Sequence, residues 1–276
     1  MKFGFVTCVK LGLSCMETFI ESGGKLDLAI TLPDDKSINK SGRIYIDNFC
    51  NQHSIRLLKS THINNKDVIE EIYKTNIDWL FIVGWSQIAS KDLLDAPKRG
   101  VIGIHPTLLP LGRGRASIPW AILKDLEKTG VTMFKMDDGV DTGPIISQIE
   151  IPLNKEITAT ELYQLIIDGH IQLIKKNTKS ILNQELKLIP QDDVEATIWP
   201  GRKPEEGLIN FNSSVYNAEK LVRALTYPYP GAFYYKDGVK YIVWEAKVLK
   251  DTELHTNKDN ILKFNDGNLM IVKQSC

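Results

Sequence analysis

Short apolar runs alternate with stretches of helical periodicity through the first two thirds of the chain. The apolar runs predict strands at residues 2–7, 25–32, 54–58, 78–83, 100–105, 130–136 and 144–151. Apolar residues at three- to four-residue spacing predict helices at 11–21, 65–73, 90–94, 118–127 and 159–181. Strands that alternate with helices indicate an α/β fold built on a doubly wound, mostly parallel sheet.

The last third of the chain has a different pattern. Prolines and a glycine cluster between residues 190 and 204, as they do in linkers between domains. Beyond them, short apolar runs separated by turn signals predict strands at 207–211, 231–236 and 240–249, a run at 260–273 that folds over a turn at Asp266-Gly267, and one helix at 217–225. We therefore predict a main domain at 1–189, a linker at 190–200, and a small, mostly-β domain at 201–276 that forms a partly open barrel.

Composition and charge narrow the class of protein. Lys plus Arg and Asp plus Glu both number 34, so the formal net charge is zero and the chain has no global attraction to polyanions. No apolar run approaches the roughly 18 residues needed to span a bilayer, and the first residues read as a strand, not as a signal peptide. The four cysteines lack the spacing of a zinc site or of a disulfide framework. We expect a cytoplasmic protein with no metal site.

Candidate chemistry concentrates between residues 103 and 141. His105 ends the predicted strand 100–105, and Asp137, Asp138 and Asp141 follow the next predicted strand. Because ligands bind beyond the carboxyl ends of the strands in an open parallel sheet, we expect the histidine and a carboxylate to face one cleft. Such a pair is suited to acid/base chemistry. The alternatives are a loop histidine that caps backbone groups and an aspartate that forms an Asx turn.

Four segments resemble formyltransferases that use a formyltetrahydrofolate donor. They are HPTLLPLGRGRASIPWAI from residue 105, GVTMFKMDDGVDTG from residue 130, GRKPEEGLINF from residue 201 and RALTYPYPGAFYY from residue 223. That family includes methionyl-tRNA formyltransferases and sugar-nucleotide N-formyltransferases. The resemblance implies a formyltransferase-type, Rossmann-like domain, an OB-like C-terminal domain, and N10-formyltetrahydrofolate as co-substrate.

The resemblance also implies site residues. The catalytic set of the family is an asparagine, a histidine two residues later, and an aspartate, of which His105 and Asp141 match the last two. Gly103 stands where the asparagine is expected, so the formyl oxygen needs another donor. Loss of one such donor can cost about 2.7–4 kcal/mol. The residues that the sequence offers as replacement donors are Ser86, Gln87 and Thr107; an ordered water is the further alternative.

Binding residues follow from the same resemblance. The folate pterin is expected at the loops 84–88 and 136–140. The residues expected to hold or enclose the folate are Gln87, Ile88, Leu108, Met136, Asp138 and Val140. Those that we expect to contact the acceptor are Arg113, Arg115, Ser86 and Thr107, since arginines can hold a phosphate or carboxylate with two hydrogen bonds.

The charge pattern guides the choice of acceptor. From residue 200 onward basic and acidic residues interleave and nearly cancel, whereas a protein that binds tRNA should carry a basic surface. The expected acceptor is therefore the amine of a nucleotide-linked amino-deoxysugar, with small molecules as partners, no nucleic acid and no membrane; a homodimer is left open. A methionyl-tRNA formyltransferase is the alternative, and a non-catalytic folate-binding homologue, in view of Gly103, is the second alternative.

Overall fold

Residues 1–36, 42–249 and 260–276 are described by the computed structural model. Spatial neighbours group the chain into two units. Unit 1 comprises Met1–Gly114, Thr129–Ile151 and Leu165–Ile198, and unit 2 comprises Arg115–Lys128, Pro152–Gln164 and Trp199–Cys276. The domain limits at residues 189 and 201 stay a prediction.

The described elements of the first two thirds largely follow the predicted strand and helix order. The strands are β1 Phe3–Val6, β2 Leu28–Thr31, β3 Arg56–Lys59, β4 Trp79–Ile82, β5 Gly100–His105, β6 Arg113–Gly114, β7 Lys128–Lys135 and β8 Ile145–Pro152. The helices are α1 Lys10–Glu21, α2 Asp47–Gln52, α3 Lys66–Thr75, α4 Lys91–Asp95, α5 Ser117–Leu123 and α6 Ala159–Asn183. A 3₁₀ turn lies at Asp34–Lys36, and residues 37–41, which follow it, are outside the described residues.

The sheet of unit 1 has seven strands in the order β3-β2-β1-β4-β5-β7-β8. The five strands from β3 to β5 are parallel, which confirms the predicted fold class. Four phenylalanines, Phe3, Phe5, Phe19 and Phe81, pack together under β1 and β4 with ring centroids 5.0 to 6.4 Å apart. Because each is almost completely buried, truncation of one to alanine should cost about 3–5 kcal/mol. This cluster therefore anchors α1 to β1 and to β4, the strand that pairs with β5.

The neighbour of β5 in the sheet, β7, runs in the opposite direction from the one expected. β7 pairs antiparallel with β5, and Gly103 faces Phe134 while His105 faces Thr132. The end of β7 therefore lies beside the start of β5, and the rule for carboxyl ends of parallel strands does not apply to this pair. The chain after β7 must fold back to reach His105, and it does so through residues 136–144.

Two local predictions also differ from the structure. The helix predicted at 118–127 ends at Leu123, because Asp125 takes a left-handed conformation with φ of 51°. The run 207–211 is not a strand: a 3₁₀ helix, Pro204–Gly207, precedes it, and Leu208 makes only an isolated bridge to Phe233. A proline that fixes φ at the first helical position favours that 3₁₀ start.

Unit 2 contains the β-rich part of the chain. Its further elements are α7 Val215–Leu225, β10 Ala232–Lys236, β11 Val239–Leu249, β12 Ile261–Phe264 and β13 Gly267–Ser275. The four strands form an antiparallel sheet in the order β10-β11-β13-β12. Helix α7 packs on this sheet through Val215, Ala218 and Val222. A short strand, β9 Ile198–Trp199, precedes these elements. The predicted small β domain of half-barrel type is confirmed.

Candidate active site

His105 is the last residue of β5, and both nitrogens of its ring face hydrogen-bond acceptors. Nε2 lies 2.8 Å from the carbonyl oxygen of Gly112. Nδ1 lies 3.5 Å from Oδ2 of Asp141. Since a carbonyl only accepts, Nε2 carries a proton, and a second proton on Nδ1 would complete an ion pair with the carboxylate. The side chains of His105 and Asp141 are 10 % and 17 % exposed, so the pair lies close to solvent without being immersed in it.

The loop between β7 and β8 brings Asp141 to the histidine. Asp137 closes the first part of this loop, because its Oδ1 accepts hydrogen bonds from Gly139 N at 3.2 Å and Thr142 Oγ1 at 2.6 Å. Asp141 itself has a left-handed backbone, with φ of 56°. Its Oδ2 accepts a hydrogen bond of 2.8 Å from Gly114 N. The structure therefore brings His105 and Asp141 together, although not by the parallel-strand geometry used to predict it.

Gln191 holds this loop in place through contacts that are not predicted from the sequence. Its Nε2 donates to the carbonyl oxygens of Asp141 and Gly143, at 2.8 and 2.7 Å. Its Oε1 accepts from Nε and Nη2 of Arg113, at 3.1 and 2.9 Å. The residue lies in the stretch 190–200 that composition marks as a linker. Its role could not be predicted from the sequence, because it depends on a contact between residues 50 positions apart.

The two arginines expected at the acceptor have separate surroundings. The Arg113 side chain is only 7 % exposed, and its Nη2 donates to Asp193 at 2.7 Å in addition to the bonds with Gln191. Its guanidinium is thus committed to structural partners. Arg115 belongs to unit 2 and lines a pocket there.

A second histidine, also absent from the predicted set, is buried behind β5. His170 in α6 lies with Nδ1 2.7 Å from the carbonyl oxygen of Ile166. Its pKa is lowered to about 4, mainly by burial and to a smaller extent by the charge of His105, while the hydrogen bond with Ile166 opposes this shift. His170 is therefore neutral at physiological pH and contributes no charge to the site.

Comparison with known proteins identifies the family. The model of the formyl transferase family matches residues 26–177, and the model of the formyl transferase C-terminal domain matches residues 202–275. The chain belongs to the formyl transferase family. Methionyl-tRNA formyltransferase of Alkaliphilus oremlandii is 30% identical over 99% of this chain and 91% of that protein. Bifunctional polymyxin resistance protein ArnA of Wigglesworthia glossinidia brevipalpis is 32% identical over 92% of this chain, which corresponds to 38% of ArnA.

Solved structures show the same fold. One is the crystal structure of WlaRD, a sugar 3N-formyl transferase, in the presence of dTDP and 5-N-formyl-THF. The alignment covers 99% of this chain and 97% of that chain, with a TM-score of 0.73 and 20% sequence identity. An N-formyltransferase from Helicobacter canadensis, in complex with folinic acid and dTDP-3-aminofucose, covers 100% of both chains with a TM-score of 0.72 and 18% identity. In the part of this formyltransferase that the structure describes, no helix combines the length and apolar character of a membrane span.

Apolar side chains fill the space beside Gly103, where the family asparagine is expected. A Cβ atom added to Gly103 would lie 2.9 Å from Cε1 of Phe134 and 3.0 Å from Cγ of Met136. Phe134 is 3% exposed and packs with Leu109 and Ile145. An asparagine could enter this formyltransferase only if that cluster repacked.

The three residues expected to replace the asparagine as donors to the formyl oxygen differ in the hydrogen bonds that their side chains already form. Gln87 is bonded on both sides of its amide: Oε1 accepts from Ile63 N and Trp85 Nε1, and Nε2 donates to Thr61 O. Thr107 is 1% exposed, and among the described residues its Oγ1 has no hydrogen-bond partner. Its amide donates to the carbonyl oxygen of His105 at 2.9 Å. Ser86 is exposed on the loop that carries Gln87.

The two loops expected to hold the folate lie near each other in this formyltransferase. Lys91 of α4, just after the loop 84–88, forms an ion pair of 3.8 Å with Asp138 of the loop 136–140. Ile88 and Val140, one on each loop, are 74% and 54% exposed. Leu108 is half-buried, and Met136 packs against Phe134 and Leu109.

Proposed function

We propose that this formyltransferase moves a formyl group from N10-formyltetrahydrofolate to the primary amine of a nucleotide-linked amino-deoxysugar. The observation that carries the proposal is the 3.5 Å separation between His105 Nδ1 and Asp141 Oδ2. Formyl transfer to an amine needs a group that moves protons and a group that stabilises charge on the formyl oxygen. A histidine beside a carboxylate can supply the first and contribute to the second.

His105 acts at its Nε2–H, the proton that Gly112 O accepts in the free protein. This N–H is offered to the formyl oxygen or to the leaving nitrogen as the reaction proceeds. Asp141 holds the ring from the opposite side, and its own carboxylate is fixed by Gly114 N. Asp141 takes the proton that the attacking amine loses and passes it to Nδ1 of His105, and Nε2 gives its own proton to the leaving folate nitrogen. Between the two transfers the ring is doubly protonated and has an acceptor at each nitrogen.

A second donor to the formyl oxygen comes from Thr107. Position 103 cannot provide it, since glycine has no side chain, and the Gln87 amide is engaged elsewhere. The Thr107 hydroxyl is buried without a partner among the described residues, two positions after His105. A buried hydroxyl without a hydrogen bond is unfavourable, so a ligand oxygen that it could reach would be stabilised.

The loops 84–88 and 136–140 hold the folate in this proposal. Their exposed apolar side chains, Ile88 and Val140, suit the two faces of a flat ring, and the ion pair between Lys91 and Asp138 spans the gap between the loops. Leu108 and Met136 form an apolar wall. Support for a formyl folate as donor comes from the family and from the neighbours crystallised with 5-N-formyl-THF and folinic acid.

The acceptor is inferred from charge and from the structural neighbours. Basic and acidic residues interleave after residue 200, which is unsuited to a nucleic-acid backbone. Two of the structural neighbours were crystallised with dTDP or a dTDP-amino sugar. A methionyl-tRNA formyltransferase is the second candidate, and the relative of that name, aligned over 99% of the chain, favours it.

The deciding experiment supplies N10-formyltetrahydrofolate with each acceptor in turn. A dTDP- or UDP-linked amino-deoxysugar and charged initiator methionyl-tRNA are incubated with the full chain, and formylated product is detected by mass spectrometry. We expect formylation of the amino sugar at a kcat/KM at least 100-fold above that for the tRNA. Formylation of tRNA alone would refute the sugar acceptor, and no formylation of either, with folinic acid still bound, would identify a non-catalytic homologue.

A further inference from the structure

Unit 2 contains a pocket of about 270 Å³ that the proposed chemistry does not use. It is formed by the start of α5, the turn before the 3₁₀ helix, and the segment that joins α7 to β10. Its lining residues are Arg115, Ala116, Pro119, Gly201, Arg202, Lys203, Pro204, Leu225, Tyr229, Pro230 and Gly231. All of them belong to unit 2.

The charge of this lining has one sign. Arg115, Arg202 and Lys203 contribute three cations, and no lining residue is acidic. Among the described residues none of the three forms an ion pair with an Asp or Glu side chain, whereas other cations of unit 2 do, such as Arg223 with Glu219. The chain as a whole is neutral. Three unpaired cations around one concavity are therefore a local feature, and they favour an anion.

Arg202 is held in place for such a ligand. Its guanidinium stacks over the Trp120 ring at 5.0 Å, and Nη2 donates to the carbonyl oxygen of Glu206 at 3.1 Å. Trp120 in turn donates from Nε1 to Pro200 O at 2.8 Å. The Nε atom of Arg202 is buried and has no hydrogen-bond partner among the described residues. A guanidinium presents donors in a fixed planar fork that matches phosphate oxygens, so an oriented arginine with a spare donor is suited to that ligand.

The remaining wall is mostly apolar. Pro119, Leu225, Tyr229 and Pro230 provide apolar and aromatic surface, and Gly201 leaves the backbone open beside Arg115. Ligand sites typically combine such surface with a few fixed polar groups. A ligand with a compact double anion next to a planar, weakly polar group would satisfy both parts of the lining.

We propose that this pocket binds the diphosphate of a nucleoside diphosphate through Arg115, Arg202 and Lys203. The choice of a nucleoside diphosphate over other phosphate esters rests on the proposed amino-sugar acceptor. The two arginines supply directed hydrogen bonds, and Lys203 supplies a mobile charge at the exposed edge.

Isothermal titration of the full chain with dTDP, UDP, inorganic pyrophosphate and folinic acid tests the proposal. The variants are Arg202→Met and Lys203→Met, and Lys236→Met, an exposed lysine outside the pocket, is the matched control. We expect the Kd for dTDP to rise at least tenfold in the first two variants and to stay within twofold in the control. The Kd for folinic acid should stay within twofold in all three. Lys203 is exposed, so Lys203→Met tests the pocket even if Arg202→Met fails to fold.

Other outcomes separate this inference from the proposed function. If the wild-type chain binds none of the three phosphate compounds, or if both pocket variants bind dTDP as the wild type does, the pocket inference is wrong. If the variants lose folinic acid instead, the pocket takes the carboxylates of the donor and the inference is also wrong. If dTDP binding depends on the pocket but only tRNA is formylated, the diphosphate site stands and the proposed acceptor fails.

Discussion

The side-chain amide of Gln191 donates a hydrogen bond of 2.8 Å to the main-chain oxygen of Asp141. The same amide nitrogen also donates to Gly143 O, and its oxygen accepts from Arg113. One side chain from a stretch without regular structure thus ties the loop of the proposed catalytic carboxylate to the strand β6. The position of Asp141 relative to His105 depends on this contact as well as on the sheet.

Replacement of Gln191 by alanine should therefore misplace Asp141. We expect kcat to fall by about 10- to 100-fold, since small misplacements of reacting groups can cost that much, while KM for the formyl donor changes less than about threefold. Steady-state kinetics with both substrates measures the effects on kcat and on KM separately. Gln52→Ala, at an exposed glutamine of α2, is the control. A loss confined to KM, or parallel losses in both variants, would contradict the positioning role.

Asparagine at position 103 should not restore a family-like site. Phe134 and Met136 occupy the volume that its side chain needs, and extra atoms in a packed core typically cost about 1–3 kcal/mol. We expect Gly103→Asn to lower the free energy of unfolding by that amount, measured by urea denaturation, with no gain in kcat. A large increase in kcat would mean that Phe134 yields easily and that the natural site is impaired.

The buried histidine makes stability depend on pH. Burial lowers the pKa of His170 from 6.5 to about 4, so between these values the unfolded chain binds a proton that the native chain does not. The contribution of this residue to stability is fully present above about pH 6.5 and is lost as the pH falls toward 4, at up to about 1.4 kcal/mol per pH unit. Urea unfolding at several pH values should show a shallower loss for His170→Gln than for the wild type. Equal slopes would show that other groups govern the acid side.

Much of the fold followed from hydrophobic pattern alone. The strand β5 has the predicted bounds, and α1, α3, α6 and the strands after residue 230 begin and end within one to three residues of the prediction. The direction of β7 could not be predicted, because the hydrophobic pattern of a strand buried on both faces is the same for a parallel and an antiparallel strand. The 3₁₀ helix Pro204–Gly207 and the early end of α5 depend on local backbone conformations that side-chain periodicity does not record.

The residues of the site also fall into two groups, those that the sequence predicts and those that only the structure shows. His105 and Asp141 could be selected from the sequence because they stand in recognisable segments. Gln191 and His170 could not, since one acts through a contact with a distant loop and the other through burial in a long helix. The packing of Phe134 beside Gly103 likewise depends on cross-strand register, which only the structure provides.

The charge of Asp141 should matter more than its shape. Asparagine can still accept the hydrogen bond from Gly114 N, but it cannot pair with a protonated His105. We expect Asp141→Asn to lower kcat by about 10²- to 10⁴-fold, the usual range for acid/base groups, with little effect on folinic acid binding. Asp92→Asn, at an exposed aspartate of α4, is the control. Retention of more than about a third of wild-type kcat would exclude Asp141 from the chemistry.

The most direct test of the proposed mechanism is the replacement of His105 by alanine, with turnover and folinic acid affinity measured on the same preparation. His53→Ala, at an exposed histidine, serves as the control. The predicted result is a loss of kcat of at least about 100-fold, while the Kd for folinic acid stays within about threefold. Turnover close to wild type in His105→Ala would contradict the account.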